Sequence, residues 1–363
     1  MPTRNAHQHG SSREIRFLRV LDDRYPRNAR VREHLTQSGA GSVHVVDAST
    51  GPRVLRLVND SLLAAKPPRR HGVVFLAEQA TAYAPFAWLA ARASGSPLVV
   101  DGFIGLHETR ILDWKKHPES SLAAKVYFVS DWLAARLADL YLTDTEIRAQ
   151  RIRGFTTSRT DVMSLPVGAP SWARSLPRRT HESGKLRILY YGNFIPLHGV
   201  SLLLRAVAQA SSAVSVELTL IGPKKPRGPY QELADQLGLF SNLRWLDPVA
   251  EDALIDQIAE HDVVAGVFGD SLKAQSVIAN KTWQGLAAGR PVLTQRSQAL
   301  EEIAPIVGEQ LIVTEPGSVD DLADRIVDLA RRGELPNNPS AAADLEMYVQ
   351  HRFEALGKWI RDH

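Results

Sequence analysis

Short runs of β-branched and aliphatic residues, each followed by a longer amphipathic stretch, recur along nearly the whole chain and leave few folds open. The first strand-like runs are residues 15–21, 42–47, 72–77, 97–101, 140–143 and 161–165, with helical patterns such as 28–38, 84–93 and 121–138 between them. Continuous apolar strands separated by helices of this length make a parallel sheet covered on both faces. The rhythm breaks at residues 166–185, where Pro166, Pro170, Pro177 and the polar stretch RRTHESGK read as an exposed linker. A second series follows, with strands at 186–191, 217–221, 243–246, 263–266, 291–294 and 310–313. Its helices fall at 200–210, 231–237, 251–260, 280–288 and 319–331. The pattern predicts an α/β chain with two doubly wound domains in tandem. Ligands of such sheets bind beyond the carboxyl ends of the strands, so the cleft between the domains is the expected site.

The boundaries follow from this pattern. Residues 1–13 are polar, lack the apolar core of a secretory signal and read as a disordered leader. Residues 14–165 form the first domain, 166–185 the linker and 186–340 the second domain. Residues 341–363 carry a last helix whose stripe of Leu345, Tyr348, Phe353, Leu356 and Trp359 holds more aromatic area than a lone surface helix needs. It is expected to cross back onto the first domain.

Composition excludes several functions. The absence of cysteine removes disulfides, thiolate nucleophiles and iron–sulfur clusters. A net charge of +3, with basic residues scattered among acidic ones, lacks the concentrated stripe of a nucleic-acid binder. The most apolar segment, around residues 97–106, is too short to span a bilayer, so the expected location is cytoplasmic. The pairs Arg69-Arg70, Lys115-Lys116 and Arg178-Arg179 are either solvated surface charge or a peripheral contact with an anionic inner membrane face.

Two segments hold candidate chemistry. In YYGNFIPLHG, residues 190–199, a strand ends at Gly192, a loop follows, and Gly199 opens an amphipathic helix. Glycines admit a ligand close to backbone amides, and a helix amino end favours negative charge; the same spacing also suits a plain strand–turn–helix junction. In the second segment Lys273, Asn280, Lys281 and Gln284 crowd around the start of a helix ending in AAGRP. The helix dipole disfavours cations there, so the lysines point either to an anionic ligand or, for Lys281, to a side chain that snorkels to solvent. In the first domain, Asp101 and His107 lie at and beyond a strand's carboxyl end. There Asp101 either orients an acceptor hydroxyl or caps the following turn. No grouping has metal-ligand spacing.

These residues carry a resemblance. YYGNFIPLHGV, LTLIGP, NLRWLDPV, HDVVAGVFG and NKTWQGLAAGRPVLT, in that order, resemble the nucleotide-binding domain of retaining glycosyltransferases of family 4, which adopt the GT-B fold. DDRYPRNARVREHLTQSG, PLVVDGFIGLHET, ADLYLTDTEIRAQRI and VMSLPVGAP resemble the acceptor domain more weakly. The resemblance implies two Rossmann-like domains facing across a cleft and sugar transfer from a nucleotide-diphosphate sugar to a hydroxyl acceptor. It implies further that the acceptor is a glycan, a lipid-linked sugar or a small metabolite, and that transfer proceeds with retention and without metal or cofactor. It places Gly192, Asn193, His198, Gly199, Gly222, Lys224, Lys273, Asn280 and Lys281 in the donor site, and Asp101, His107 and Gln284 at the reaction centre.

Some family features are replaced. Asn193 and His198 stand where members carry an arginine and a lysine on the diphosphate, and Ser276 and Gln284 stand where they carry two glutamates. Lys273 and Lys281 are the substitutes expected to hold the diphosphate. A neutral amide hydrogen-bonds but supplies no charge, which keeps two alternatives open. One is a non-catalytic partner of a transferase; the other is a different GT-B enzyme such as a nucleotide-sugar epimerase.

Overall fold

The computed structural model describes residues 13–22, 25–68 and 71–363. The leader expected at 1–13, except for Arg13, and the pair Arg69-Arg70 lie outside the described residues.

Two six-stranded sheets, all their pairings parallel, organise the chain. The first contains β1 (Glu14–Val20), α1 (Pro26–Gln37), β2 (Ser42–Asp47), α2 (Arg53–Ala64), β3 (Val73–Leu76), α3 (Ala84–Ser94), β4 (Leu98–Asp101), α4 (Leu122–Leu137), β5 (Leu140–Thr143), α5 (Glu146–Arg153) and β6 (Asp161–Ser164). Its order is β2-β1-β3-β4-β5-β6. VVFL, LVVD and LYLT in β3, β4 and β5 are buried throughout, as strands covered on both faces must be. Ile15, Phe17, Val73, Phe75 and Val99 face α1, while Leu18, Val74, Leu76, Leu98 and Val100 face the layer of α2, α3 and α4. Successive side chains point to opposite faces, so one run of sequence feeds two cores.

The second sheet holds β7 (Lys185–Tyr191), α6 (Val200–Ala210), β8 (Ser215–Ile221), α7 (Gly228–Gln236), β9 (Leu243–Leu246), α8 (Leu254–Glu260), β10 (Val263–Ala265), α9 (Asn280–Ala287), β11 (Val292–Gln295), α10 (Ala304–Val307), β12 (Leu311–Thr314) and α11 (Val319–Arg331). Its order is β12-β11-β10-β7-β8-β9. The chain winds outward one way from β7 and the other way from β10. The switch point, where a crevice opens at the carboxyl edge, therefore lies between those two strands. In the first sheet it lies between β1 and β3. This is the GT-B architecture of two α/β units.

Residues 176–184 are strapped to the second unit, while Ala169 accepts from Arg30 of α1 at 2.9 Å. The Leu176 amide donates to the Ala288 carbonyl at 3.1 Å, the Gly184 amide to Ala330 at 2.6 Å, and Arg179 pairs with Asp262 at 2.9 Å. The last helix, α12 (Ala341–Asp362), packs on α9, α10 and α1. Leu345, Val349, Phe353, Leu356 and Ile360 are buried in a core containing residues of both sheets. Trp359 Nε1 donates to Asp161 Oδ2 at 2.7 Å, and Arg30 pairs with Glu346 at 2.5 Å.

Candidate active site

The carboxyl edges of the two sheets face each other across a closed seam. Lys273 Nζ donates to Thr109 Oγ1 at 2.8 Å, Ser271 Oγ to Asp113 Oδ1 at 3.0 Å, and Thr145 Oγ1 to the Ser276 carbonyl at 2.6 Å. The Glu146 amide donates to Glu302 Oε1 at 2.6 Å. Buried polar atoms without a partner collect along the same edges: Lys281 Nζ, Gln295 Oε1 and Ser297 Oγ on one side, Glu78 Oε2, Asp113 Oδ2 and Asp144 Oδ2 on the other. Unpaired polar atoms are expensive inside a protein, and those facing the seam are candidates to be satisfied by a polar ligand.

At the second sheet's switch point the loops after β7 and β10 are joined by backbone hydrogen bonds, Phe268 N to His198 O and Gly269 N to Leu197 O, both 3.1 Å. The join is tight enough to dictate glycine. Gly199 has φ +60°, and a Cβ there would lie 2.3 Å from the Phe268 carbonyl carbon. Gly222 packs on the Gly192 carbonyl, which a Cβ would meet at 2.2 Å. Two helix amino ends open into this crevice without a capping side chain: α6 follows Gly199 and α9 follows Ala279. Their free amides make an anion-binding edge.

Lys281 in the first turn of α9 is 4% exposed. Its ammonium sits 4.1 Å from the centroid of the Tyr190 ring and has no hydrogen-bond partner. Loss of solvation pushes it well below the usual lysine range. The Tyr190 hydroxyl accepts from the Phe194 amide at 3.2 Å and shares a 2.7 Å hydrogen bond with His198 Nδ1. Burial, and after it the neighbouring Lys281 charge, hold His198 well below its ordinary value, so it is a neutral ring. Gln284, one turn along α9, accepts from the Tyr191 hydroxyl at 2.8 Å through its carbonyl and is buried.

Other residues expected at the site stand differently. Asn193 is exposed on the loop, Asn280 is half-buried at the start of α9, and Lys224 is exposed and paired with Asp247 at 3.1 Å. Lys273 is spent on Thr109 across the seam, and its pKa is lowered, chiefly by burial. Ser276 is fully buried, with its hydroxyl donating to the Leu272 carbonyl at 2.9 Å. His107 packs edge-on against Phe128 at 5.6 Å.

Asp101 requires a correction. It is fully buried, with both oxygens held by Arg27 Nε at 2.8 and 3.1 Å, and it accepts the Phe103 amide at 3.0 Å. Arg27 also donates to the Leu165 and Thr143 carbonyls. The carboxylate caps the turn and anchors the carboxyl edge of the first sheet, so it does not face an acceptor.

The sequence reading missed Glu78, which follows β3 at the first sheet's switch point. It is 1% exposed, and burial, with Asp101 second, pushes its carboxyl up to about 7. Only the β1–β3 pairing brings it beside α1, and a lone glutamate after an apolar run gives no sequence signal. The sequence reading assigned Tyr190 no role of its own, and its hydroxyl orders the loop after β7.

Comparison with known proteins agrees with this geometry. Residues 185–332 match the family model described as Glycosyl transferases group 1. A stretch of 193 residues is 30% identical to the MMP alpha-(1->4)-mannosyltransferase of Mycolicibacterium hassiacum, covering 52% of this chain and 44% of that protein. The chain thus spans less than half the length of that curated relative. Among solved structures, HepE of Anabaena in complex with UDP-glucose superposes with a TM-score of 0.63 at 15% identity, covering 96% of this chain and 98% of that one. The sucrose-phosphate synthase of Thermosynechococcus elongatus gives 0.64 at 14% identity, covering 96% of each chain. The lipopolysaccharide outer core galactosyltransferase WaaB gives 0.63 at 13%, covering 95% and 99%. At these identities the likeness establishes the fold.

Proposed function

We propose that this protein transfers a sugar from a nucleoside-diphosphate sugar to an acceptor hydroxyl, with retention of configuration and without a bound metal. The observation that carries the reading is Lys281: a buried ammonium with no counter-ion, beside two uncapped helix amino ends at a topological switch point. A diphosphate supplies the missing negative charge, and in the transition state the departing nucleoside diphosphate gains more, which lysine and backbone amides stabilise. Gly192, Gly199 and Gly222 let the phosphates approach the backbone. Gln284, fixed through Tyr191, presents its amide to a ribose or sugar hydroxyl. Glu78, protonated near neutrality, hydrogen-bonds the acceptor from the opposite sheet. The seam contacts of Lys273, Ser271 and Thr145 exclude water, which otherwise competes as acceptor. The matched family model, the mannosyltransferase relative and the UDP-glucose complex of HepE support this choice of donor class. Among the described residues no group of three or more His, Cys, Asp or Glu side chains is arranged to hold a metal.

The test is a nucleoside-diphosphate release assay with UDP-, GDP- and ADP-sugars and a panel of hydroxyl acceptors, run with and without a chelator. Release that needs acceptor and survives chelation supports the proposal. Release restored only by added magnesium or manganese overturns the metal-free part. Tight nucleotide-sugar binding with no transfer to any acceptor favours a non-catalytic partner, the reading motivated by Ser276 and Gln284.

A further inference from the structure

The helix α2 is turned the opposite way to an ordinary surface helix. Val54, Leu55, Leu57, Val58 and Leu62 all point outward, between 49% and 72% exposed, while Asp60 is buried. Asp60 accepts from Arg19 Nε at 2.8 Å and from the Ser49 amide at 2.7 Å, and these two bonds fix the helix's rotation. An amphipathic helix in a globular protein normally buries its apolar arc. Here the arc holds no charge; exposed Arg53 borders it, while half-buried Arg56 lies on the opposite side of the helix.

The surface continues across the same layer. α2 packs on α3 and α3 on α4, and outward from these project Phe86, Leu89, Leu122, Val126, Phe128, Val129 and Trp132. The charges around them are one-sided. On α4, Lys125 and Arg136 are exposed, whereas Asp131 turns inward to accept from Thr81 Oγ1 and from the Leu106 and His107 amides. On α3, Arg92 is exposed and paired with Asp139. Thus both acids on the three helices are turned inward, while Arg53, Arg92, Lys125 and Arg136 stand at the surface. Arg136 lies 4.9 Å over Trp132, and Arg110 lies 5.4 Å over Tyr127. Aromatic rings beside cations suit the headgroup level of a bilayer.

We propose that the layer of α2, α3 and α4 is a membrane-docking face that lays the apolar arc of α2 into the acyl boundary of an anionic bilayer, with Arg53, Lys125 and Arg136 on the headgroups. Charge complementarity selects the occupant: three helices that combine outward apolar side chains with exposed cations and carry no outward carboxylate match an anionic lipid surface. Among the described residues no helix is long and apolar enough to cross a membrane, so contact is peripheral. Docking concerns the helix layer and not the cleft, and it holds whether or not the transferase reading does.

The test is co-sedimentation of the full chain with vesicles of phosphatidylcholine alone or mixed with phosphatidylglycerol, at low and high salt. The expected result is binding to the mixed vesicles that weakens with salt. Leu55→Glu/Leu62→Glu should abolish it, and Lys125→Ala should lower the partition coefficient about fivefold, the effect of one cation at an anionic surface. Both variants alter exposed side chains, and unchanged thermal unfolding confirms that they fold. Three results overturn the proposal: no binding to the mixed vesicles, binding unaltered in both variants, or a solution dimer that Leu55→Glu/Leu62→Glu dissociates. The last would assign the face to a second copy of this chain.

Discussion

Replacing Lys281 with methionine should move stability and ligand binding in opposite directions. The ammonium is buried without a partner, and burial alone depresses its pKa. Methionine keeps an unbranched apolar stem of similar length and removes the unsatisfied group, worth about 1–3 kcal/mol of desolvation cost. Against this stands the lost contact with the Tyr190 ring, about 0.5–2 kcal/mol when the amine is charged. At the midpoints of these ranges the ligand-free variant should be about 1 kcal/mol more stable than the parent, with each kcal/mol raising Tm by about 2–4 °C. A charge-assisted hydrogen bond to phosphate contributes about 1.5–3 kcal/mol, so the variant should bind nucleoside diphosphate roughly 10- to 150-fold more weakly. At about a hundred times the parent's Kd, ligand adds about 2.7 kcal/mol to the parent; for a thirtyfold weaker variant that falls to about 0.9 kcal/mol. Thermal unfolding with and without UDP, GDP and ADP reads both effects. Burial lowers the Lys281 pKa in the free protein and a bound phosphate raises it again, so binding by the parent should be coupled to proton uptake; calorimetry in buffers of different ionisation enthalpy measures this. A variant that is less stable yet equally stabilised by every diphosphate would refute the reasoning, because Lys281 would then be a packing element alone.

Gln284→Ala should cost about 1–3 kcal/mol in kcat/KM by removing the amide presented to a donor hydroxyl, whereas Gln284→Glu keeps an acceptor for both that hydroxyl and Tyr191 and should be better tolerated. Glu78→Gln should change the pH dependence of stability. The buried carboxyl, pushed up to about 7, keeps its proton in the folded state while the unfolded chain releases it near 4.5, so the parent loses stability as pH rises through that window. The variant lacks that loss, and its advantage in urea unfolding should grow by on the order of 3 kcal/mol between about pH 4.5 and 7; a flat difference would contradict the assignment. Gly199→Ala places a Cβ against the Phe268 carbonyl carbon and should destabilise by more than about 2 kcal/mol. Gly238→Ala, at φ +70° with nothing within 4 Å, should cost only the left-handed strain of about 1–2 kcal/mol. Equal losses would show that the join between the β7 and β10 loops is not rigid.

The sequence by itself determined the elements. Expected strands at 42–47, 140–143 and 243–246 coincide with β2, β5 and β9, and the other expected strands fall within a residue or two of theirs. Helices 200–210 and 319–331 coincide with α6 and α11. Apolar runs and helical periodicity report burial on a local backbone, so local pattern suffices there. The glycines of the loop after β7 were legible for the same reason, since a left-handed turn at Gly199 is a property of a few consecutive residues.

Side-chain partnership was decided elsewhere. Asp101 became an anchor because strand order brings it to Arg27, 74 residues earlier, and Glu78 became a candidate acid because β3 pairs with β1. Lys281 over Tyr190 depends on β10 lying beside β7, which follows from the full winding of the second sheet. The helix α2 went unread, and its apolar stripe would in any case have been assigned inward; Asp60, drawn to Arg19 and Ser49, turned it out. In each case the deciding contact joins residues that periodicity treats as independent. A buried charge must find its partner in three dimensions, and only the tertiary structure says which partner it found and which ammonium was left without one.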